Sequence, residues 1–248
     1  MNDPLLCRRV EEASLNAWPA LQQILLDGWV LRFSRGFTKR ANSIVPLYPA
    51  VQPPIDKIRY CENLYAREQL KTIFRLTTVD AYEPLDHLLA ARGYQRVDPT
   101  LVLCCDLQNG IEYAPGPAFR QLPRADWLGA YADNAAMPAK SQQLHAALLQ
   151  GIRTDHLFGA IAPQNSPIAC GMAVLERELV GLFDIVTHEA ARRRGHAKAL
   201  VESLLAWAHQ NGARYAYLQV MENNRAARAL YQDLGFVELY HYWYRVAP

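Results

Sequence analysis

The chain has 248 residues, 51% of them apolar, and its 26 Lys and Arg nearly balance 24 Asp and Glu to leave a net charge of +2. That balance argues against the broad basic face by which proteins neutralise nucleic-acid phosphates, so any anion bound here should be small and held locally. No apolar run approaches the ~20 residues that cross a bilayer. The N-terminal "MNDPLLCRRVEEASL" has no signal-peptide core, and the five cysteines lack metal-ligand spacing and read as buried thiols. The expectation is a soluble, cytoplasmic protein without disulfides, bound metal, nucleic-acid partner or membrane partner.

In chain order, residues 28–46, "GWVLRFSRGFTKRANSIVP", predict a hairpin. Trp29, Leu31 and Phe33 alternate with polar partners, and Ser34-Arg35-Gly36 supplies the turn. The next stretch, "VPLYPAVQPPIDKI", carries prolines at 46, 49, 53 and 54, each of which removes a backbone donor. Then "TIFRLTTVDAYEPLDHLLAARGYQRVDPTLVL" reads as strand, short helix, Gly-aromatic pair and strand. Asn-Gly and Pro-Gly-Pro in "LQNGIEYAPGPAF", residues 107–119, mark a linker. It divides the chain into residues 1–112 and 119–248.

In the second part, "DWLGAYADNAA" and "SQQLHAALLQGI" read as short helices, and "HLFGAIA", "IACGMAVLE" and "LVGLFDIVT" as strands. An amphipathic helix follows, with Ala197, Leu200, Val201, Leu204, Leu205 and Ala208 on one face and a stop at Asn211-Gly212. The chain closes with the strand "RYAYLQVM", a helix capped by Asn224 and ended by Gly235, and a long strand "FVELYHYWYRV". The pattern β-α-α-β-β-β-α-β-α-β predicts an α/β (α+β) domain around a mixed, largely antiparallel sheet flanked by helices. The first part echoes this ending when Gly93-Tyr94 is aligned on Gly235-Phe236, so a duplicated fold is expected.

Between the strand "LFDIVT" and the amphipathic helix stand Arg192, Arg193 and Arg194, then Gly195. A helix N-terminus presents unpaired N–H groups and the positive end of the dipole, so three arginines there oppose the dipole and repel one another. An anion at the turn reverses both penalties. Gly195 admits its approach to the backbone, and small Ala197 keeps the first helical turn open.

The segment "IVTHEAARRRGHAKALVESLLAWA" resembles the acyl-CoA-binding segment of the GNAT superfamily of N-acetyltransferases, whose pattern [Q/R]-x-x-G-x-[G/A] is met by Arg192, Gly195 and Ala197. "VMENNRAARALYQDLGF" is similar to the family's second block, matched by Asn224, Ala227, Tyr231, Gly235 and Phe236. The resemblance covers residues 119–248 and implies a sheet in which "LFDIVT" and "AYLQVM" splay apart to admit the pantetheine of acetyl-CoA, the cosubstrate. It implies that the backbone of Ile185, Val186 and Thr187 lies along the pantetheine. The turn Arg192, Arg193, Arg194, Gly195, His196, Ala197 and Lys198 would take the pyrophosphate. Asn224 would hydrogen-bond the pantetheine, and Tyr231 would protonate the departing thiolate as general acid. Asp184, mid-strand where carboxylates are disfavoured, is the candidate base, with pairing to a buried arginine as the alternative.

At the duplicate positions Tyr82 stands for Asn224 and Leu89 for Tyr231, and no phosphate turn precedes them, so the first part is expected to be a degenerate, CoA-free unit. Arg32, Arg40, Asn42 and Ser43 are expected to form hairpin salt bridges, with lining of the acceptor site as the alternative. Glu176 and Glu178 read as solvated. The implied activity is acetyl transfer to a primary amine of a small molecule or peptide. A non-catalytic acyl-CoA sensor or scaffold is the rival that the same fold allows.

Overall fold

The computed structural model describes residues 3–79, 83–108 and 115–248. The chain begins with α1 (Pro4–Ala17), started by Asp3, whose carboxylate accepts from the amides of Leu5 (2.9 Å) and Leu6 (3.3 Å). It continues through β1 (Gln22–Leu26), β2 (Trp29–Phe33), β3 (Ile44–Pro46), α2 (Pro54–Arg67), β4 (Ile73–Thr77), α3 (Glu83–Ala91) and β5 (Gln95–Asp106). The second part runs β6 (Phe119–Gln121), α4 (Arg124–Asn134), α5 (Ala139–Gln150), β7 (Asp155–Ile161), β8 (Ala169–Glu176) and β9 (Leu179–Thr187). It ends with α6 (His196–Gln210), β10 (Tyr215–Met221), α7 (Arg225–Asp233) and β11 (Val237–Val246). The element order expected for the second part is present.

All described strands form one sheet in the order β1-β2-β3-β4-β11-β5-β10-β9-β8-β7-β6. Read outward from the central pair β11 and β5, the two sides repeat one another. The parallel steps are β3 with β4 and β9 with β10, and the other pairings are antiparallel. The two parts have exchanged their last strands: β5 pairs with β10 of the second part, and β11 pairs with β4 of the first. Gly93 and Gly235 both take left-handed backbone, at φ 84° and 82°, so the Gly-aromatic echo marks the same helix stop in each part.

Helices cover both faces. Leu200, Val201, Leu204 and Leu205 of α6 pack on Leu157, Ala173, Val180 and Leu218 of the strands beneath. On the opposite face α1, α4 and α5 bury Val10, Trp127 and Leu148 with Phe183, Tyr217 and Tyr242. There a buried bidentate pair joins Arg75 on β4 to Glu11 on α1 (2.5 and 2.8 Å), and Glu11 also accepts from Tyr240 on β11. The turn between β8 and β9 is tied to α1 at the surface, where Glu176 accepts from Asn16 (3.0 and 3.2 Å) and Glu178 pairs with Arg9 while both remain partly solvated. The five cysteines are buried. Among the described residues no helix is long and apolar enough to cross a membrane.

Residues 28–46 do pair as a hairpin, Trp29 opposite Pro46 and Leu31 opposite Ile44, with Phe37 N donating to Ser34 O across the expected turn (2.9 Å). Two features differ from the expectation. The connection continues through a 3₁₀ turn, Lys39–Ala41, before β3 resumes, and β2 is buried on both faces. A further hairpin, β1 to β2, turns tightly at Asp27-Gly28, both with positive φ.

Candidate active site

The amphipathic pattern of α6 fixes where the helix must start. Gly195 is its cap, in left-handed backbone (φ 81°), and a Cβ built there meets nothing within 4 Å. Among the described residues, the amides of Gly195, His196, Ala197 and Lys198 have no acceptor. The turn before them is held from within. His188 Nδ1 accepts from Ala190 N (3.3 Å), and Arg192 Nε donates to Thr187 O (3.3 Å). The loop therefore stands open, with its donors unspent.

Beside it, β9 and β10 stay paired from Leu179 opposite Tyr215 to Leu182 opposite Leu218 and then separate. The resulting cleft, about 600 Å³, is lined by Ile185–Thr187, Arg192, Arg193, Gly195–Lys198, Asn224 and Tyr231. Of the residues assigned to the cofactor from sequence, Arg194 alone is not in this lining. Asn224 Oδ1 accepts from Ala227 N (3.2 Å), so it caps α7 while lining the cleft. Tyr231 projects from α7 against Phe236, ring centroids 5.9 Å apart, and burial pushes its phenol up to about 12.

A bulge in β9 separates the cleft from a second cavity. Phe183 pairs with Met172 and Val186 with Cys170, so Asp184 and Ile185 together oppose Gly171. A Cβ on Gly171 would lie 2.5 Å from Ile185 Cδ1, so glycine lets the Ile185 side chain lie across the facing strand as it does. Asp184 takes φ 53° there. Ile185 lines the cleft, whereas Asp184 lines a cavity of about 270 Å³ with Trp18, Arg40, Met221, Tyr242 and Tyr244.

Among the described residues Asp184 has no arginine within salt-bridge distance, although its charge helps hold the Arg40 guanidinium charged. Its carboxylate contacts His145 Nε2 at 2.7 Å and accepts from the Tyr131 hydroxyl at 3.3 Å. Burial, reinforced by the Asp184 charge, raises the Tyr131 phenol above its ordinary range. His145 is enclosed by the rings of Trp18, Phe37, Trp127 and Tyr131, with centroids 5.1 to 6.1 Å away. His145, Tyr131 and Trp18 escaped the sequence reading, since each reaches Asp184 or its neighbours from a distant element.

The polar set of the first hairpin makes no salt bridges among the described residues, contrary to expectation. Arg32 is fully buried and donates to three carbonyls: Arg40 O (2.8 Å), Leu15 O (3.1 Å) and Trp18 O. Burial, with the nearby Arg75 charge, pulls its guanidinium down to about 9. Asn42 closes the loop, donating to Phe37 O and Thr38 O and accepting from the amides of Ser34 and Gly36. Ser43 is buried, and Arg40 lines the second cavity. At the duplicate positions Leu89 is a buried core residue, and Tyr82 lies outside the described residues.

A mixed sheet that splays beside an open helix N-terminus, with a tyrosine on the following helix, defines a GNAT-type N-acetyltransferase. The chain belongs to the family described as "Probable histone acetyltransferase Rv0428c C-terminal", whose model matches residues 6–245. It is 27% identical over 244 residues to "Uncharacterized N-acetyltransferase YobR" of Bacillus subtilis, covering 96% of this chain and 98% of that one. Among solved structures it is similar to a GCN5-related N-acetyltransferase from Kribbella flavida (TM-score 0.76, 17% identity, 97% of this chain and 95% of that one). It also shares its fold with a tandem GNAT protein from the clavulanic acid biosynthesis pathway (TM-score 0.57, 13% identity, 79% of this chain and 71% of that one).

Proposed function

We propose that this enzyme transfers an acetyl group from acetyl-CoA directly to a primary amine of a small molecule or peptide. The observation that carries the reading is the bulge, since Asp184 and Ile185 are neighbours in sequence yet line two different cavities. A donor in the β9–β10 cleft and an acceptor beside Asp184 would then meet across one residue. The residues of the cleft fit the donor: four unspent amides at a helix N-terminus and the cations of Arg192, Arg193 and Lys198 suit a pyrophosphate.

Acetyl-CoA, when bound, supplies the activated thioester. The backbone of Ile185, Val186 and Thr187 aligns the pantetheine along β9, and Asn224 holds its far side. The turn from Arg192 to Lys198 grips the pyrophosphate, with Arg194 adding charge from outside the lining. Asp184 takes the proton of the incoming amine, through water, its carboxylate held in place by His145 and Tyr131. Tyr231 gives its phenolic proton to the departing sulfur, and a phenol pushed up to about 12 stays protonated across the neutral range.

Tyr231→Phe tests this assignment, because it keeps the ring against Phe236 and deletes only the hydroxyl that carries the proton. Loss of a positioned acid should lower kcat roughly 10²- to 10⁴-fold with little change in acetyl-CoA affinity. Thiol-release kinetics beside calorimetric titration read both quantities. A variant that turns over like the wild type would leave Tyr231 a packing residue.

A further inference from the structure

The acceptor cavity draws its walls from both parts of the chain, and Arg40 and Asp184 both line it. Asp98 is paired with Lys39 (2.8 Å), and Asp184 is engaged by His145. Arg40 has no carboxylate within ion-pair distance among the described residues. Its guanidinium lies over the rings of Trp18 (5.6 Å) and Phe183 (6.0 Å), and its Nε is buried without an acceptor. Burial works against its charge, but Tyr242, Tyr244 and Asp184 outweigh burial and hold the guanidinium charged, and a carboxylate entering the cavity would add the direct anionic partner it lacks.

Arg40 is also held in position. Its carbonyl accepts from buried Arg32, which at the same time fixes Leu15 and Trp18. Thr38 Oγ1 accepts from Ala41 N and from Trp18 Nε1, both at 3.3 Å. The terminal nitrogens of this buried guanidinium are spent on carbonyls, which fixes the loop. The result is a preorganised cation facing a carboxylate across one small cavity.

We infer that the acceptor is a small amino carboxylate, a free amino acid or close relative, whose carboxylate is bound by Arg40 while its amine is presented at Asp184. The inference rests on the transferase reading above and narrows it. A planar guanidinium stacked on aromatic rings matches a carboxylate in shape as well as charge. The cavity, about 270 Å³, suits a molecule of amino-acid size. The aromatic walls of Trp18, Tyr242 and Tyr244 supply apolar contact for the remainder.

The test uses the wild-type enzyme with acetyl-CoA and matched acceptors that differ only in the anion. Each common L-amino acid is compared with its α-amide, and the panel also holds simple amino phosphates and a lysine peptide blocked at both ends. At least one free amino acid should be favoured over its amide by about 10- to 100-fold in kcat/KM, the worth of a hydrogen bond to a charged group. Arg40→Met should bring that ratio toward one chiefly through KM, and Arg40→Lys should restore only part of it. Equal use of acid and amide, preference for the blocked peptide or the phosphates, or a ratio unmoved by Arg40→Met overturns the inference while leaving the transferase reading intact. If no amine is acetylated, titration of amino acids into the acetyl-CoA-loaded enzyme decides: absence of binding overturns the inference. Loss of acetyl-CoA binding itself would count instead against the reading beneath it.

Discussion

The two connections that lead from a parallel strand into its crossover helix occupy equivalent places in the sheet and are built to opposite ends. Between β9 and α6 the chain stops at a left-handed glycine and leaves its amides without acceptors. Between β3 and α2, Pro53 caps the helix and Pro54 is its first residue, so two donors are missing from the outset. Two of the donors ahead of the prolines are already used. Val51 N and Gln52 N donate to the Asp27 carboxylate (3.0 and 2.9 Å), which is itself bound by Lys57 Nζ (3.2 Å). Lys57 is buried and lies 3.9 Å from the centre of the Trp29 ring. The first part thus carries its own anion where the second keeps a place for one. The comparison teaches that one topology yields either an open turn or a structural turn, and that the two differ in their supply of unspent amides.

The largest effect is expected from separating the two parts. A fragment starting near Pro117 keeps the open turn but loses β5, the strand that lies between β10 and β11. Both would then present unpaired edges at the middle of the sheet. The fragment should fail to fold, as read by circular dichroism and proteolysis. A soluble, cooperative fragment would mean that β11 can close on β10 directly. Next comes Gly195→Glu, which puts a negative charge and a side chain into left-handed backbone at the open amides. Acetyl-CoA binding should be lost with the fold retained. Calorimetry on the wild type should give one CoA per chain, and two equivalent sites would break the contrast between the turns.

What the sequence revealed of this site is what it encodes locally. The turn before α6, the cap at Asn224 and the placement of Tyr231 depend on residues a few positions apart, so spacing alone brings them to one cleft. Asp184 is different. Its partners Tyr131 and His145 are 53 and 39 residues away, and the bulge that turns it from the cleft is a matter of register against Gly171 in the neighbouring strand. No local pattern carries that. The duplication was legible from two Gly-aromatic stops, but the exchange of last strands was not. A strand buried on both faces, as "LVLCCDL" reads, does not name its neighbours. The polar residues of the first hairpin misled for a related reason: charge in a strand suggests surface pairing, whereas Arg32 is consumed by carbonyls from three separate segments.

The smallest effect tests the occupant of the structural turn. The Gln52 and Val51 amides, aided by Lys57, hold the Asp27 carboxyl below its ordinary value of 3.8. A carboxyl whose pKa is lower in the folded state binds fewer protons there than in the unfolded chain. Its contribution to stability is therefore complete above about pH 4, near the reference value for an unfolded Asp, and fades as the pH falls through the folded value. Asp27→Asn keeps the shape but turns an acceptor into a donor facing Lys57 or an amide, so its melting temperature should lie below the wild type's at pH 7. That gap should begin to narrow as the pH falls below about 4, where the unfolded carboxyl takes up its proton while the folded one resists it. Other acid-sensitive groups are common to both proteins and cancel in the difference. Acetyl-CoA affinity at pH 7 should not change, since Asp27 serves the other turn. A gap constant from pH 7 to pH 3 would show that the negative charge of Asp27 is not what fills the first part's loop.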